Sequence, residues 1–507
     1  MNFWIRRSTR SVFAALWAAL TFTLTLSAQE PRSQENQLER GDTLMSRLQY
    51  EDAYVAYRSL RDSNEAHTRV RAGTGMVRAL LRLNLYAEAA KEGAAVAARD
   101  GALASALSLH GDALWASGLF QEAETRYQEA LKIDPADATA LHGRGRSRAA
   151  RRQFDTAMAD VRQAIAGAPK EPAFYYTLAS ILEDARQFKA SADALDKYLD
   201  LLPSRDQSEM AKWAVSQAAF LRSFGDKVPF ELISKDEVYT IPFRVQDGRV
   251  LVRGRVNGNT PVDFALDTGT DQTTLTPAVA SRAGVRPVQT LQTAGIGSIG
   301  VGFRSLQVGR IDELLIGDFR IRNIPGLIKS PSLTEIPRAE GAGFSPLALG
   351  FSVEVDYRRG VMTMARHFDA GDFPIRLPMR IQRLATVRAT INGKTPASLV
   401  LDTGGTAVTV SRKVAGRLEI DPSTRLVPVN VYGTSGWDRT AFLLPFLEIE
   451  LAPGVGTSQK SVAVLNLDAP SALLGYEMGG ILGHDFLRNY VVRIDLERAE
   501  VGLRPIK

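Results

Sequence analysis

The triplet Asp-Thr-Gly occurs twice in this chain, as Asp267-Thr268-Gly269 and Asp402-Thr403-Gly404. Each copy ends a matched stretch. Asn257-Gly258-Asn259-Thr260-Pro261 leads into the first and Asn392-Gly393-Lys394-Thr395-Pro396 into the second, at a constant offset of 135 residues. Apolar runs then deliver the carboxylates, Phe264-Ala265-Leu266 before Asp267 and Leu399-Val400-Leu401 before Asp402. Duplicated strands ending on tight glycine turns predict two half-sites that face each other. Two carboxylates in contact cannot both ionise cheaply, so they share one proton. The ionised member draws a proton from water, and the protonated member donates to a carbonyl. This pattern points to hydrolysis of a peptide bond without a covalent enzyme intermediate.

The two segments resemble the active-site strands of pepsin- and retropepsin-type aspartic proteases. Gly479-Gly480-Ile481-Leu482-Gly483-His484-Asp485-Phe486-Leu487 resembles the apolar-apolar-Gly segment of that fold. The resemblance covers roughly residues 238–507 and implies an all-β bilobal domain, retropepsin-like in its short lobes but fused in one chain. It implies that Asp267 and Asp402 are catalytic and that Thr268 and Thr403 hydrogen-bond across the lobe interface. Gly269 and Gly404 would leave room for the loops to meet. The Thr270 hydroxyl is expected to support Asp267. Gly405 has none to offer Asp402, and Thr406 is expected to stand in. On that basis Asp267 should ionise first and Asp402 should hold the proton. The first lobe's apolar-apolar-Gly element is expected at Leu347-Ala348-Leu349-Gly350.

Two glycine-rich segments are expected to be hairpins that close over a peptide. The first runs from Gly295 to Gly302 and includes Gly297, Ser298, Ile299 and Gly300; the second runs from Tyr432 to Trp437 and includes Ser435. The first also spells G-x-G-x-x-G, but no helix pattern follows it, so a dinucleotide loop is disfavoured and a plain turn is the alternative. His484 reads as a packing residue more readily than as a proton relay.

A different architecture precedes these strands. Pro135, Pro169 and Pro203 recur every 34 residues, as do Phe120, Phe154 and Phe188, with Tyr86 one period earlier. Ala89, Ala123 and Ala157 keep the same spacing. The segment Leu107 to Pro135 resembles the tetratricopeptide family. The resemblance implies an all-α solenoid over residues 39–224 with Glu209 to Phe224 as a capping helix. Such arrays stack helix pairs and bind peptides or proteins on the concave face. Arg144, Arg148 and Arg152 share one helix face; they either clamp an acidic ligand or lie solvated.

The chain is therefore expected to be multidomain. A signal peptide spans residues 1–28, a linker 225–237, and the two lobes 238–368 and 369–507. Arg6, Arg7 and Arg10 precede an uncharged apolar run from Val12 to Leu26, followed by Ser27 and Ala28. This predicts export to a periplasm or the medium, with no stable membrane anchor after cleavage. The formal charge of +6 falls to about +3 without those arginines, too little to suggest nucleic acid. The chain has no cysteine and only five histidines, scattered, which leaves little room for thiol catalysis or a zinc site. No cofactor or metal is expected. The partners expected are a peptide or protein substrate and a protein on the repeats. The reading is an aspartic endopeptidase whose repeats recruit substrate or a partner. The alternative is a non-catalytic peptide-binding scaffold with a degenerate protease fold.

Overall fold

The computed structural model describes residues 31–203, 206–258, 260–297, 304–329, 341–421, 423–433 and 435–506. The leader expected over residues 1–28 lies outside them. Antiparallel helix pairs occupy the N-terminal part, from Pro31–Ser46 to Glu209–Arg222. In the four pairs from Ala66–Arg82 onward the chain turns through one left-handed residue. These are Asn84, Gly118, Arg152 and Arg186, with φ of 59°, 75°, 60° and 64°. They recur at the 34-residue period of the sequence. Small residues permit the helix crossings. A Cβ on Gly111 would sit 2.5 Å from the Tyr127 ring, and one on Gly143 would sit 2.3 Å from it.

The array is curled enough to pair distant repeats. Arg78 reaches Glu171 at 2.7 Å and Arg82 reaches Asp206 at 3.1 Å. Two of the three arginines read as one helix face are spent inside the array, and the third, Arg152, lies past the helix Ala138–Ala149 in the turn. Arg144 and Arg148 both pair with Asp160, at 2.7 and 2.6 Å. The Arg152 guanidinium lies 4.8 Å over the Phe154 ring. Among the described residues, no helix is long and apolar enough to cross a membrane.

The C-terminal part is strand-rich and duplicated. In the first lobe Arg249–Val256 pairs antiparallel with Thr260–Leu266. In the second, Leu384–Ile391 pairs antiparallel with Thr395–Leu401. Both hairpins turn on Asn-Gly with positive φ, 48° and 82° at Asn257 and Gly258, 49° and 67° at Asn392 and Gly393. Asn and Gly are the residues that tolerate that conformation. The asparagine side chains repeat a second bond: Oδ1 accepts from Glu313 N in one lobe and Glu448 N in the other, each at 3.0 Å.

The lobes share a six-stranded antiparallel sheet, ordered Ile375–Gln382, Glu500–Pro505, Tyr490–Asp495, Ser352–Asp356, Val361–Ala365, Val238–Pro242. Each lobe gives three strands, and the pseudo-twofold axis passes between Ser352–Asp356 and Tyr490–Asp495. Asp356 and Asp495 close equivalent turns, each Oδ1 accepting two backbone N–H groups at 3.0 Å. A long hairpin spans residues 304–328. Arg304–Ile316 ends at Gly317, whose φ of 57° turns the chain into Phe319–Ile328.

The repeats are docked on both lobes by their turns. Lys413 Nζ donates to the Asn84 carbonyl at 2.7 Å, and the Ser398 hydroxyl donates to the Gly118 carbonyl. The Ile381 amide donates to the Ala150 carbonyl at 2.9 Å, and Arg186 Nη2 to the Ala348 carbonyl at 2.7 Å. A Cβ at Gly118 would meet the Glu477 carbonyl oxygen at 2.9 Å, so contact with the protease-like domain leaves no room for another side chain there. Arg380 and Glu124 form a buried two-bond pair across the junction, both contacts at 2.7 Å. The segment read as a linker is tied down too: Glu231–Leu232 adds an edge strand to Phe319–Ile328.

Candidate active site

Each triplet follows the end of a buried central strand, and a short parallel strand beside it receives the aspartate's amide. In the second lobe Thr395–Leu401 pairs with Gly480–Leu482, and Asp402 N donates to the Leu482 carbonyl at 3.1 Å. In the first, Thr260–Leu266 pairs with Ala342–Phe344, and Asp267 N donates to the Phe344 carbonyl at 2.9 Å. The first-lobe element is thus Ala342-Gly343-Phe344, upstream of the Leu347-Ala348-Leu349-Gly350 expected from sequence. Leu347 and Leu349 lie in the helical turn Pro346–Leu349, the counterpart of His484–Leu487. Matching on a terminal glycine misplaces the element, because the first lobe has Ser345 where the second has Gly483.

The two loops interlock. The Thr268 hydroxyl donates to the Leu401 carbonyl at 2.7 Å and accepts from Thr403 N at 3.1 Å. The Thr403 hydroxyl donates to the Leu266 carbonyl at 2.8 Å and accepts from Thr268 N at 3.1 Å. Both threonines are buried, so the polar groups that each loop presents are satisfied by the other. The glycines are fixed by approach rather than by φ. A Cβ on Gly269 would lie 2.5 Å from the Asp402 carboxyl carbon, and one on Gly404 would lie 2.6 Å from that of Asp267.

The carboxyls act on each other directly and are held differently. Asp267 Oδ1 accepts one loop amide, Gly269 N at 3.0 Å. Asp402 Oδ1 accepts two, Gly404 N at 2.9 Å and Gly405 N at 2.8 Å. Burial, reinforced by the charge of Asp402, pushes Asp267 up to about 7, with Lys329 opposing. Burial also raises Asp402, but the Gly405 and Gly404 amides and the bond from Asp267 pull it back. Asp402 therefore has one more amide on its carboxylate than Asp267, an asymmetry opposite in sense to the hydroxyl support expected from the sequence. The cause is the residue after the triplet. The Thr270 hydroxyl donates to the Gln272 carbonyl at 3.1 Å instead of supporting Asp267. Gly405 offers Asp402 a backbone amide in place of the expected hydroxyl. Thr406 is exposed, and its carbonyl accepts from Asp485 N at 2.9 Å.

The expected lids meet tip to tip. Ser435 N donates to the Ile296 carbonyl at 2.8 Å, and Gly297, with φ 92°, passes so close to Gly436 that a Cβ would collide with its carbonyl. Ser435 is buried and lines a cavity of about 170 Å³ with Asp267 and Gly269. Trp437 is 44% exposed and packs edge-on to Tyr432, away from that cavity. Ser298, Ile299 and Gly300 lie outside the described residues. His484 is buried, with its ring against Tyr357 at 5.1 Å; its amide, not its ring, serves the site by donating to the Gly405 carbonyl. Sequence reasoning passes over Asp271 and Arg383. They pair at 2.6 Å, four residues beyond Asp267 on one side and in the second lobe on the other. No spacing rule joins them, since they come together only when the lobes close.

Comparison with known proteins agrees with this geometry. The aspartyl protease family model matches twice, over residues 252–352 and 387–486. A tetratricopeptide repeat model matches over residues 108–172 and 142–206. The chain is thus similar to tetratricopeptide repeats in its N-terminal part and to the aspartyl protease family in its C-terminal part. Among solved structures, the aspartic proteinase from Irpex lacteus is 12% identical. The match covers 53% of this chain and 98% of that one, with a TM-score of 0.33. A thermophilic TPR protein of Thermus thermophilus is 21% identical. That match covers 34% of this chain and 93% of that one, with a TM-score of 0.29. No curated protein matches the chain.

Proposed function

We propose that this protein is an aspartic endopeptidase. The observation that carries the proposal is the pair of half-buried carboxyls on interlocked loops, whose environments differ by one backbone amide. Asp402, the better solvated by amides, takes a proton from a water held between the two carboxyls. Asp267 gives its proton to the scissile carbonyl oxygen as the water oxygen bonds to the carbonyl carbon. The tetrahedral intermediate then collapses, the C–N bond breaks, and the amine leaves with a proton. The interlocked threonines hold the two loops in register, so neither carboxylate has to be brought into place during the reaction. The two hairpin tips must part to admit a peptide, and their single described bond, Ser435 to Ile296, is a modest barrier.

The substrate class is a peptide or unfolded protein segment, and the repeats recruit the substrate or a protein partner. The basic leader and uncharged apolar run at the N-terminus support export to a periplasm or the medium. Incubating the purified protein with a mixed peptide library from acidic to neutral pH tests the reading. Wild type should cleave, and Asp267→Ala and Asp402→Ala should not. Cleavage surviving both substitutions would exclude the dyad. No cleavage by wild type at any pH would favour the scaffold reading.

A further inference from the structure

The cavity beside Asp267 is not walled by the protease domain alone. Leu291 and Leu327 enter it from the first lobe, and Leu473 and Leu474 from the second. The repeats contribute Trp213, from their last helix, Glu209–Arg222. Trp213 is held on two sides. The Tyr176 ring packs edge-on at 5.9 Å, and the Arg383 guanidinium lies 5.5 Å over the indole. Arg383 is itself paired with Asp271, on the loop that carries Asp267. The helix is no loose neighbour: residues from it and from the preceding repeat share one apolar core with Leu291, Val308 and Leu473.

The volume, about 170 Å³, falls below the ~300–1,000 Å³ typical of sites for whole small molecules. It is the scale of one amino-acid side chain. Leucines and the indole share its wall with polar groups, Thr270, Gln272, Lys329 and Arg383 among them, and Asp267 lines it too.

We propose that the helical repeats supply one wall of the substrate-binding cavity, and that Trp213 sets the upper size of the apolar side chain accepted next to the scissile bond. The proposal rests on the peptide-cleaving reading of the dyad for its chemistry. For its geometry it rests only on the cavity. It assigns the repeats a part in selecting the bond, beyond recruitment. A buried indole that forms a pocket floor discriminates by volume: the side chain that fills the space gains burial, and a larger one meets a wall that cannot yield.

The test uses the full-length protein and four peptides identical except for Ala, Leu, Phe or Trp beside the cleaved bond. Wild type should favour Leu and Phe over both Ala and Trp. Trp213→Ala should raise kcat/KM for the Trp peptide relative to the Leu peptide by about tenfold, the scale of pocket discrimination by volume. Trp213→Phe should give an intermediate ratio and guards against a variant that fails to fold. A merely structural role for Trp213 would lower all four rates together. An unchanged ratio in both variants overturns the proposal. If wild type cleaves none of the peptides, the catalytic reading fails, and the same peptides are titrated by calorimetry. Binding that ranks Leu and Phe first, and shifts toward Trp in Trp213→Ala, then supports the proposal. Absence of binding, or a ranking blind to Trp213, overturns it.

Discussion

In the first lobe the loop gives Asp267 one amide; in the second the loop gives Asp402 two. The loops otherwise share their strand, parallel neighbour, threonine exchange and glycine under the opposite carboxyl. The difference starts at one position, Thr270 against Gly405. A threonine there spends its hydroxyl on Gln272 and leaves its own amide off the carboxylate. A glycine lets the chain wrap one residue further around the oxygen. The lesson is that a duplicated backbone makes the site, while a local departure from symmetry decides which carboxyl carries the proton. Identical halves would leave that choice to the substrate.

The largest expected effect comes from removing one carboxylate at a time while keeping its shape. Asn at 402 cannot accept a proton from water, so Asp402→Asn should lower kcat by about 10⁴-fold, the upper end of general acid–base contributions. Asn at 267 resembles a neutral carboxyl and still has N–H groups to donate. Asp267→Asn should therefore lose less, about 10²-fold, at the lower end of the same range. Single-turnover rates on one peptide decide it. Equal losses, or the opposite order, would mean that the amide asymmetry does not set the roles.

Gly405→Ala attacks the asymmetry at its source. The added Cβ would fall 2.6 Å from Asp402 Oδ2, so the carboxylate or the loop must shift. A displacement of that kind costs on the order of 10²-fold in rate. Thr270→Ala is the mirror-image control and should leave kcat close to wild type, because its hydroxyl serves Gln272. A strong effect of Thr270→Ala with none from Gly405→Ala would reverse the comparison.

The symmetric part of the site is readable in the sequence and the asymmetric part is not. Asn-Gly turns, apolar strands and Asp-Thr-Gly carry their geometry in residue types, because few residues accept left-handed φ or a carboxylate at van der Waals contact. The 34-residue period likewise fixes the array, down to the left-handed turns at Asn84, Gly118, Arg152 and Arg186. The amide asymmetry escapes notice because a hydroxyl is visible in a sequence and a backbone amide is not. Ala342-Gly343-Phe344 escapes notice for a related reason: a strand of three residues has no period, and only its pairing with Phe264-Ala265-Leu266 identifies it. Contacts such as Asp271 with Arg383, or Trp213 beside Asp267, join separate packing units and leave no trace in local pattern.

The threonine exchange is where the lobes are most alike, and it should respond symmetrically. Thr268→Val and Thr403→Val each leave a buried amide and a buried carbonyl without their partner. The cost expected is about 1–3 kcal/mol apiece. The double variant should lose less than the sum, since both hydroxyls belong to one network. Denaturant midpoints with intact far-UV circular dichroism measure this. Strictly additive losses would mean that the two bonds act separately and the loops are held by something else.

The smallest effect is on stability against pH, and it returns to the difference between the carboxyls. Asp267 rises from the ordinary value of 3.8 to about 7, through burial first and the neighbouring Asp402 second. Between those values the folded protein holds a proton that the unfolded chain has released. Stability therefore falls as pH rises across that window, and its full contribution is present only below 3.8. Asp267→Asn has no such proton to lose. Its melting temperature relative to wild type should climb as pH rises through that window, whatever the offset at its acidic end. The corresponding curve for Asp402→Asn should be shallower, because two amides oppose the burial that raises that carboxyl. Parallel slopes for the two variants would place the proton equally on both aspartates and remove the distinction between the lobes.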